Sequence, residues 1–368
     1  MHSGTILMVL YLICGLSAAV HGESGSWLFV SLLNDRKIVI FERSPETGRL
    51  TRRSETVCPA EPAILSTSPD RKTLFASFRS TGQLASFAID PENGHLSPVS
   101  VVEGGADPAY LLPDHTGRFL ITAYYQANKV TVHALRQTGK VSRNPLQTIP
   151  TAEKAHGIAV DSSNRMVFVS HTGANRIFQF QFNPRTGLLT ASRPAFASTP
   201  DEDHPRHIML HPTDRWAYVS NEAGDSIGVF AVNRKNVTLK RVQTMATIPH
   251  DFDGTRNSTS RCEMTTDGKF VYVANRGHDS IAGFAIDQNT GRVTSLGQTP
   301  TEKTPRSFTI APDGRFLYAA GEGSGRIAVY RIAADGRLSH TDTFESGPVS
   351  WSVLAVDTLR VQVGDGNP

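Results

Sequence analysis

The chain has 368 residues, and its 37 Lys and Arg residues against 34 Asp and Glu residues give a formal net charge of +3. Acidic and basic residues are mixed along the whole sequence, so this balance supports neither nucleic-acid binding nor attachment to a membrane surface. The length by itself would suggest two or three domains. The internal repeats indicate one domain instead, because each blade of a closed array packs on its neighbours.

The N-terminus carries a continuous apolar run from Ile6 to Ala19. The run of about fourteen residues is too short to span a bilayer, and small residues follow it up to Gly22. We therefore expect a secretory signal peptide over residues 1–22, which makes the mature protein secreted or periplasmic. Because no Lys or Arg precedes the run, a membrane anchor is the alternative, and an uncleaved run would indicate a cytoplasmic protein.

The chain contains three cysteines, and Cys14 would be removed with the signal peptide. The remaining Cys58 and Cys262 lie about four repeats apart, which in a ring places them across from each other. We therefore expect two unpaired thiols. Their spacing has no CxxC motif or other metal-binding pattern.

Six similar stretches of about ten residues recur every ~45 residues along the chain. Each consists of turn residues followed by alternating apolar residues, and a second alternating run and another turn come after it. Four short strands in a unit of this length are typical of a β-propeller blade rather than a helical repeat. The six stretches are SPDRKTLFAS, DHTGRFLITA, DSSNRMVFVS, HPTDRWAYVS, TTDGKFVYVA and APDGRFLYAA.

The first unit, from Trp27 to Leu50, has the second, third and fourth strands of a blade but no innermost strand before them. The C-terminal WSVLAVD segment, Trp351 to Asp357, aligns with SFTIAPD and HIMLHPT of other units. The missing strand is therefore expected to come from the far end of the chain, which closes the ring without an exposed sheet edge. The sequence predicts an all-β fold in which residues 23–368 form one seven-bladed β-propeller.

Aligning the units shows which residues each blade places at equivalent positions. Two sets of positions, just before the innermost strands and at the ends of the second strands, differ from blade to blade and carry charge. The first set is Ala63, Ala109, His156, Arg206, Ser260, Arg306 and Ser350. The second set is Leu33, Arg79, Tyr125, Thr172, Glu222, Arg276 and Glu322.

Both sets should surround the mouth of the central channel, where the connecting loops gather. An imidazole, several guanidinium groups and two carboxylates together are suited to holding an anion and moving a proton. This cluster is therefore the candidate site. The alternative is that its members form ion pairs across the channel.

Individual members of the cluster also have structural interpretations. A histidine before a buried strand, such as His156, is more often a hydrogen-bonded structural residue than a catalyst. Arg206 and Glu222 belong to the same blade and could pair with each other. Arg276 is the least expected residue at its position, and a lone arginine facing a channel needs an anionic partner, either a ligand or a carboxylate.

No metal or cofactor site is expected from the sequence. His207 and His211 stand four residues apart, which on a strand is ~13 Å and too far for two ligands of one ion. The equivalent positions of the units hold Ala, Ser and Arg rather than a ring of Asp, Asn or Glu. The sequence has no glycine-rich phosphate loop and no G-x-S-x-G motif.

From about Trp27 to Asp357 the chain resembles the seven-bladed propeller lactonases, typified by the bacterial propeller form of 6-phosphogluconolactonase. The resemblance rests on PRHIMLHP followed by YVSNE, on TTDGKFVYVANR and on TPRSFTIAPDGRFLYAAG, which recur in the family's order and spacing. The related muconate-lactonizing propeller places a His, an Arg, a Glu and a second Arg around its channel. By this resemblance they correspond to His156, Arg206, Glu222 and Arg276.

The resemblance implies hydrolysis of a sugar lactone without a cofactor, with 6-phospho-D-gluconolactone as the family's named substrate. Either Glu222 or His156 would take the proton from water. Arg206 would stabilise the oxyanion, and Arg276 would bind the anionic group of the substrate. The expected further substrate contacts are Arg306, Arg79, Tyr125 and Glu322.

A signal peptide would separate this protein from the cytoplasmic phosphogluconate pathway. An exported relative would then hydrolyse a non-phosphorylated sugar lactone, or would have kept the scaffold for binding alone. The alternative function is therefore a non-catalytic secreted propeller that binds a carbohydrate or a protein, although the four charged positions favour the enzyme. We expect a monomer whose partner is a small-molecule sugar lactone, with no nucleic acid and no membrane after signal cleavage.

Overall fold

The structure is a computed structural model that describes residues 24–253 and 256–359. The predicted signal peptide over residues 1–22 lies outside the described residues. No helix of the described part is long and apolar enough to cross a membrane.

Within the described residues, strands account for all the regular structure, and they form seven four-stranded antiparallel sheets. Within each sheet the strands follow one another outward from the central channel. The innermost strands are β4 (Pro62–Thr67), β8 (Pro108–Pro113), β12 (Ala155–Val160), β16 (Pro205–Leu210), β20 (Ser258–Met264), β24 (Pro305–Ile310) and β28 (Ser350–Leu359). The second strands are β1 (Ser24–Leu32), β5 (Thr73–Phe78), β9 (Phe119–Tyr124), β13 (Met166–His171), β17 (Trp216–Asn221), β21 (Phe270–Arg276) and β25 (Phe316–Gly321).

The outer half of each blade consists of two further strands. The third strands are β2 (Lys37–Arg43), β6 (Gln83–Ile89), β10 (Lys129–Ala134), β14 (Arg176–Asn183), β18 (Ser226–Asn233), β22 (Ser280–Ile286) and β26 (Arg326–Ile332). The outermost strands are β3 (Leu50–Val57), β7 (Leu96–Glu103), β11 (Gln147–Pro150), β15 (Leu188–Ser198), β19 (Thr238–Ala246), β23 (Val293–Pro300) and β27 (Leu338–Glu345). Numbered along the chain, blade 1 contains β28 and β1 to β3, and blade 7 contains β24 to β27.

The ring closes through the pairing of β1 with β28. Trp27 pairs with Val356 and Ser31 pairs with Ser352 in an antiparallel ladder. The seven-bladed propeller closed by its C-terminal strand is therefore confirmed, and the closing strand extends beyond the expected segment at both ends.

Apolar cores lie between neighbouring blades. One of them combines Trp27 and Phe29 of blade 1 with Phe87 of blade 2, and similar cores follow around the ring. Burying a large apolar side chain contributes about 1.5–3 kcal/mol, so each blade depends on its neighbours for much of its stability. Cys58 and Cys262 are buried in these cores as free thiols, as expected.

Each innermost strand has a register shift near its mouth end, where two of its residues oppose one residue of the second strand. Such a β-bulge bends a strand and redirects its side chains. His156 and Arg206 lie at these bulges inside β12 and β16, and not just before the strands as the repeats suggested.

The bulge also corrects the alignment of blade 1. Ser352 pairs with Ser31 of the second strand in the same way that His207 pairs with Ser220 in blade 5. The residue before Ser352, Trp351, is therefore equivalent to the residue before His207, Arg206. The sequence alignment had placed Ser350 there, because Trp351 fits the apolar beginning of a strand. Ser350 is instead buried and its hydroxyl hydrogen-bonds to that of Ser346 at 2.7 Å.

Candidate active site

Three of the four predicted catalytic residues meet at the channel mouth. Arg206 projects from the bulge of β16, Glu222 follows β17, and Arg276 ends β21. Arg276 Nη2 donates a hydrogen bond to Glu222 Oε1 at 2.5 Å, and Arg206 Nε lies 3.3 Å from the same oxygen. Ion pairing, the alternative expected from the sequence, therefore occurs among these charges, with one carboxylate held by two guanidinium groups.

The electrostatics of this cluster keep Glu222 ionised. Partial burial raises the pKa of Glu222, but the guanidinium groups of Arg206 and Arg276 outweigh that effect and hold it below its ordinary value. The Glu222 side chain is 25% exposed, whereas that of Arg206 is 6% exposed. The carboxylate therefore faces the mouth, and the guanidinium group of Arg206 lies deeper.

His156 completes the predicted set beside Arg206. It is 4% exposed, its ring meets the edge of Tyr125 at a centroid distance of 6.0 Å, and its buried Nδ1 has no hydrogen-bond partner in the structure. Burial, followed by the charges of Arg206 and Arg79, lowers the pKa of His156 well below its ordinary value. The imidazole is therefore neutral at pH 7.

Two of the predicted substrate contacts, Arg306 and Glu322, form a second ion pair at the mouth. Arg306 Nη1 lies 3.3 Å from Glu322 Oε2. The Arg306 guanidinium also stacks on Trp351, with Cζ 3.4 Å from the ring centroid. Burial and the charge of Arg276 lower the pKa of Arg306 to about 10, which leaves it protonated at neutral pH.

The remaining predicted contacts, Arg79 and Tyr125, lie on the other side of Trp351. Arg79 Cζ is 5.6 Å from the ring centroid of Tyr125 and 5.7 Å from that of Trp351. Two of the three guanidinium nitrogens of Arg79 donate to Asp107: Nε to Oδ1, and Nη2 to Oδ2 at 2.8 Å. Asp107 was not predicted, because it lies in the loop before β8 outside both aligned sets.

A second layer of side chains closes the channel below the mouth. Tyr110, His207 and Arg261, each one residue further along its innermost strand than a mouth position, line a cavity together with His156 and Arg206. Its volume of about 10 Å³ is about that of one water-sized sphere. A molecule much larger than water therefore has room only above this layer, among the charged groups of the mouth.

Residues of the second layer were missed by the sequence analysis. Tyr110 OH lies 3.2 Å from His207 Nε2, and Arg261 Nη2 lies 3.5 Å from Glu263 Oε1. The position one residue further along the aligned units holds Tyr110, His207 and Arg261, and its residue type also differs from blade to blade. That difference is the signal by which the sequence could have identified these three residues.

His207 and His211 have different surroundings, as their spacing on a strand predicted. His211 bonds to Thr213 and to the carbonyl of Gly268 at the other end of β16. Among residues 24–253 and 256–359, no three His, Cys, Asp or Glu side chains are grouped so that they could hold a metal ion.

The sequence and the fold are similar to those of known proteins. The family described as "Lactonase, 7-bladed beta-propeller" matches residues 28–354. A Pectobacterium carotovorum protein named 6-phosphogluconolactonase is 30% identical over 333 residues, which cover 87% of this chain and 99% of that protein. A Klebsiella pneumoniae protein of the same name is 29% identical over 315 residues, which cover 83% and 94% of the two chains.

Solved structures agree on the fold. The periplasmic gluconolactonase of Pseudomonas aeruginosa has a TM-score of 0.82 at 24% identity, covering 90% of this chain and 99% of that one. A structure from Bacteroides uniformis has a TM-score of 0.81 at 26% identity, with the same coverage. Since the family matches nearly the whole described propeller and the sequence relatives cover most of it, the chain belongs to the seven-bladed β-propeller lactonase family.

Proposed function

We propose that this protein hydrolyses a sugar lactone at the channel mouth, with 6-phospho-D-glucono-1,5-lactone as the first substrate to test. The observation that carries the proposal is the Glu222 carboxylate held between Arg206 and Arg276 at the mouth of a lactonase-family propeller. It combines an ionised base with guanidinium groups that can stabilise an oxyanion.

The proposed reaction needs one water and no cofactor. Glu222 takes a proton as the water oxygen bonds to the lactone carbonyl carbon, and the negative charge on the carbonyl oxygen is stabilised by Arg206. When the tetrahedral intermediate collapses, the bond from that carbon to the ring oxygen breaks. The proton held by Glu222 passes to the ring oxygen, and the product is the open-chain hydroxy acid.

Glu222 is preferred over His156 as the base because of its position. Oε1 of Glu222 is occupied by the two guanidinium groups, which leaves Oε2 for a water, and the side chain is far more exposed than His156. An anionic substrate would also offset the positive charges around Glu222 and so raise its pKa, making it a stronger base.

Two isosteric substitutions distinguish the base candidates. Glu222→Gln is expected to lower kcat by ~10²–10⁴-fold, the usual contribution of a general base, whereas His156→Gln is expected to lower it much less. Initial rates in a pH-stat, with the thermal midpoint of each variant as the control, measure this. The opposite ranking would assign the base to His156.

The pH profile is expected to be flat from about pH 5.5 to 8. His156 stays neutral there because its pKa lies well below the ordinary value, and Glu222 stays ionised because its pKa is also lowered. Activity should fall only at more acidic pH, as Glu222 takes up a proton and no longer acts as a base. An acid limb of kcat/KM centred near pH 6.5 would contradict this assignment.

Arg276 is proposed to bind the anionic group of the substrate, since it lies nearer the mouth than Arg206. Its side chain is 13% exposed, against 6% for Arg206. Arg276→Gln is expected to raise KM for the 6-phosphorylated lactone by about tenfold or more, because its partner is charged before and after the chemistry. KM for the non-phosphorylated lactone, measured with the same variant, should change little.

The compartment and the substrate are linked in this proposal. The fold neighbour from Pseudomonas aeruginosa is a periplasmic gluconolactonase, and we propose that this protein is likewise exported if its N-terminal run is cleaved. Mass spectrometry of protein from the native host should then find a start between Val20 and Ser24. An intact N-terminus would instead favour the phosphorylated, cytoplasmic substrate.

The decisive assay uses purified mature protein on gluconolactone with and without the 6-phosphate, corrected for spontaneous hydrolysis. Rates above background on either lactone support the proposal. The absence of such a rate on both, with the fold intact, would favour a non-catalytic propeller that binds a carbohydrate or a protein.

A further inference from the structure

The face opposite the channel mouth, here called the underside, has an uneven charge distribution. It is formed by the turns that join the first to the second strand and the third to the fourth strand of each blade. In blades 6 and 7 these turns carry both signs of charge. Lys269 lies 3.1 Å from Asp267, and Arg337 lies 2.7 Å from Asp335.

Blades 3 to 5 lack the exposed acids. The first turns of blades 2, 6 and 7 have an exposed Asp at the third position, as in Asp267, but the equivalent residues of blades 3 to 5 are Thr116, Ser163 and Thr213. Carboxylates do occur in these turns, but they are buried and serve the backbone. Asp161 Oδ1, for example, accepts from the Arg165 amide at 2.6 Å.

The exposed charges of the underside are therefore all positive over three adjacent blades. In the described part of the chain, none of the exposed Arg and Lys side chains in these turns of blades 3 to 5 has a carboxylate within 4.0 Å, so none forms an ion pair. Acidic and basic residues are therefore mixed along the sequence but separated on this surface. The exposed cations are Arg118, Arg136, Lys140, Arg165, Arg185, Arg215, Arg234 and Lys235.

A groove between blades 4 and 5 lies within this basic surface. Its volume is about 1220 Å³, and four of the cations line it: Arg165, Arg185, Arg234 and Lys235. No Asp or Glu is among its lining residues. Neutral hydrogen-bonding side chains, including Gln181, Asn183 and Thr190, lie between the cations.

We propose that this groove binds a linear polysaccharide that carries carboxylate groups. The cations match its charges, and the amide and hydroxyl side chains can bond to sugar hydroxyls. The groove's aromatic lining residue, Phe182, is buried, so the bases of single-stranded nucleic acid would have no surface on which to stack. Leu188 is its one exposed large apolar side chain, which is too little for insertion into a lipid surface.

This binding site is independent of the proposed lactonase activity. The groove lies at the end of the blades away from Arg206 and Glu222, so an occupied groove leaves the channel mouth open. The polymer would hold the enzyme in place while small lactones reach the mouth.

The test compares two variants that lose the same number of exposed cations. The groove variant combines Arg165→Gln, Arg185→Gln, Arg234→Gln and Lys235→Gln. Its matched control removes four cations of blades 6 and 7 through Lys269→Gln, Arg292→Gln, Arg315→Gln and Arg337→Gln. Binding to polygalacturonate at physiological salt is measured by calorimetry.

The parent and the control are expected to bind alike, and the groove variant about six-hundredfold more weakly, because each of the four cations beside an anionic surface strengthens association by about fivefold. A second variant, Thr116→Asp with Ser163→Asp and Thr213→Asp, keeps every cation but adds carboxylates where blades 2, 6 and 7 have them. It should also bind more weakly. Rates on gluconolactone should be unchanged in all three variants, and thermal midpoints should be unchanged in the groove variant and its control. The Asp variant is expected to melt at a lower temperature, because Thr116 donates to the buried Asp114 carboxylate, so its binding is measured well below its midpoint.

Three results would overturn the proposal. One is no binding of polygalacturonate by the parent, and another is equal weakening in the control variant. The third is tighter binding of double-stranded DNA or of anionic phospholipid vesicles than of polygalacturonate, which would assign the basic surface to another class of partner.

Discussion

A chain that ends at Gly347 is expected to lose cooperative folding. The deletion removes β28, and with it Val353 and Val356 from the cores on either side of β1. It also removes Asp357, the carboxylate that bonds to the fully buried Arg43 at 2.5 Å. Arg43 keeps only Asp313, at 3.4 Å. Breaking a buried ion pair costs up to about 3–5 kcal/mol, a large part of the about 5–15 kcal/mol that stabilises a typical protein.

Chemical denaturation followed by tryptophan fluorescence and circular dichroism measures this expectation. Asp357→Asn is the milder companion variant, because β28 stays in place and the Asn amide oxygen can still accept from Arg43. It should lower the free energy of unfolding by about 1–3 kcal/mol while the protein stays folded. A truncated chain that unfolds cooperatively at the midpoint of the parent would show that ring closure by β28 is dispensable.

Arg206→Gln is expected to lower kcat on the lactone by ~10²–10³-fold, the cost of losing one oxyanion donor. The guanidinium group of Arg206 lies beside the carboxylate of Glu222 and deeper than the mouth surface. In the proposed mechanism, Arg206 bonds most strongly to the lactone carbonyl oxygen when that oxygen is negatively charged, so kcat rather than KM should change. The substitution also removes a positive charge near Glu222, so the acid limb of the pH profile should move to higher pH.

Arg261→Gln is the matched control for this prediction. Arg261 is another channel arginine with a carboxylate partner, Glu263, but it lies in the layer below the mouth. Its loss should lower the thermal midpoint and leave kcat within about threefold of the parent. If both substitutions lower kcat, and each does so in proportion to the fall in its thermal midpoint, Arg206 has a structural role only.

The repeats and their alternating pattern were enough to predict the architecture. Turn residues and period-2 apolar positions are local properties of a strand, so they are visible in the sequence wherever a blade occurs. The missing innermost strand of the first unit predicted closure by Trp351 to Asp357, because that segment matches the innermost strands of other units and its pairing leaves no exposed sheet edge. The unlike residues in the aligned sets also identified His156, Arg206, Glu222 and Arg276 as neighbours of the channel mouth.

The tertiary structure alone decided how these residues pair. Arg206 and Arg276 come from different blades and share the carboxylate of Glu222, and this depends on how the blades pack around the axis. The bulges of the innermost strands placed Trp351 beneath Arg306. A bulge adds a residue without changing the apolar pattern, so an alignment of patterns could not have counted it.

The sequence by itself determined the number of blades, the closing strand and the residues that surround the channel, because strand patterning and ring closure are set by residues close together in the chain or by its two ends. The tertiary structure decided the ion pairs, the layer that closes the channel and the segregation of charge on the underside. These properties arise between blades, where residues about 45 positions apart are neighbours. No local pattern records which of two charged side chains in a turn is buried and which is exposed.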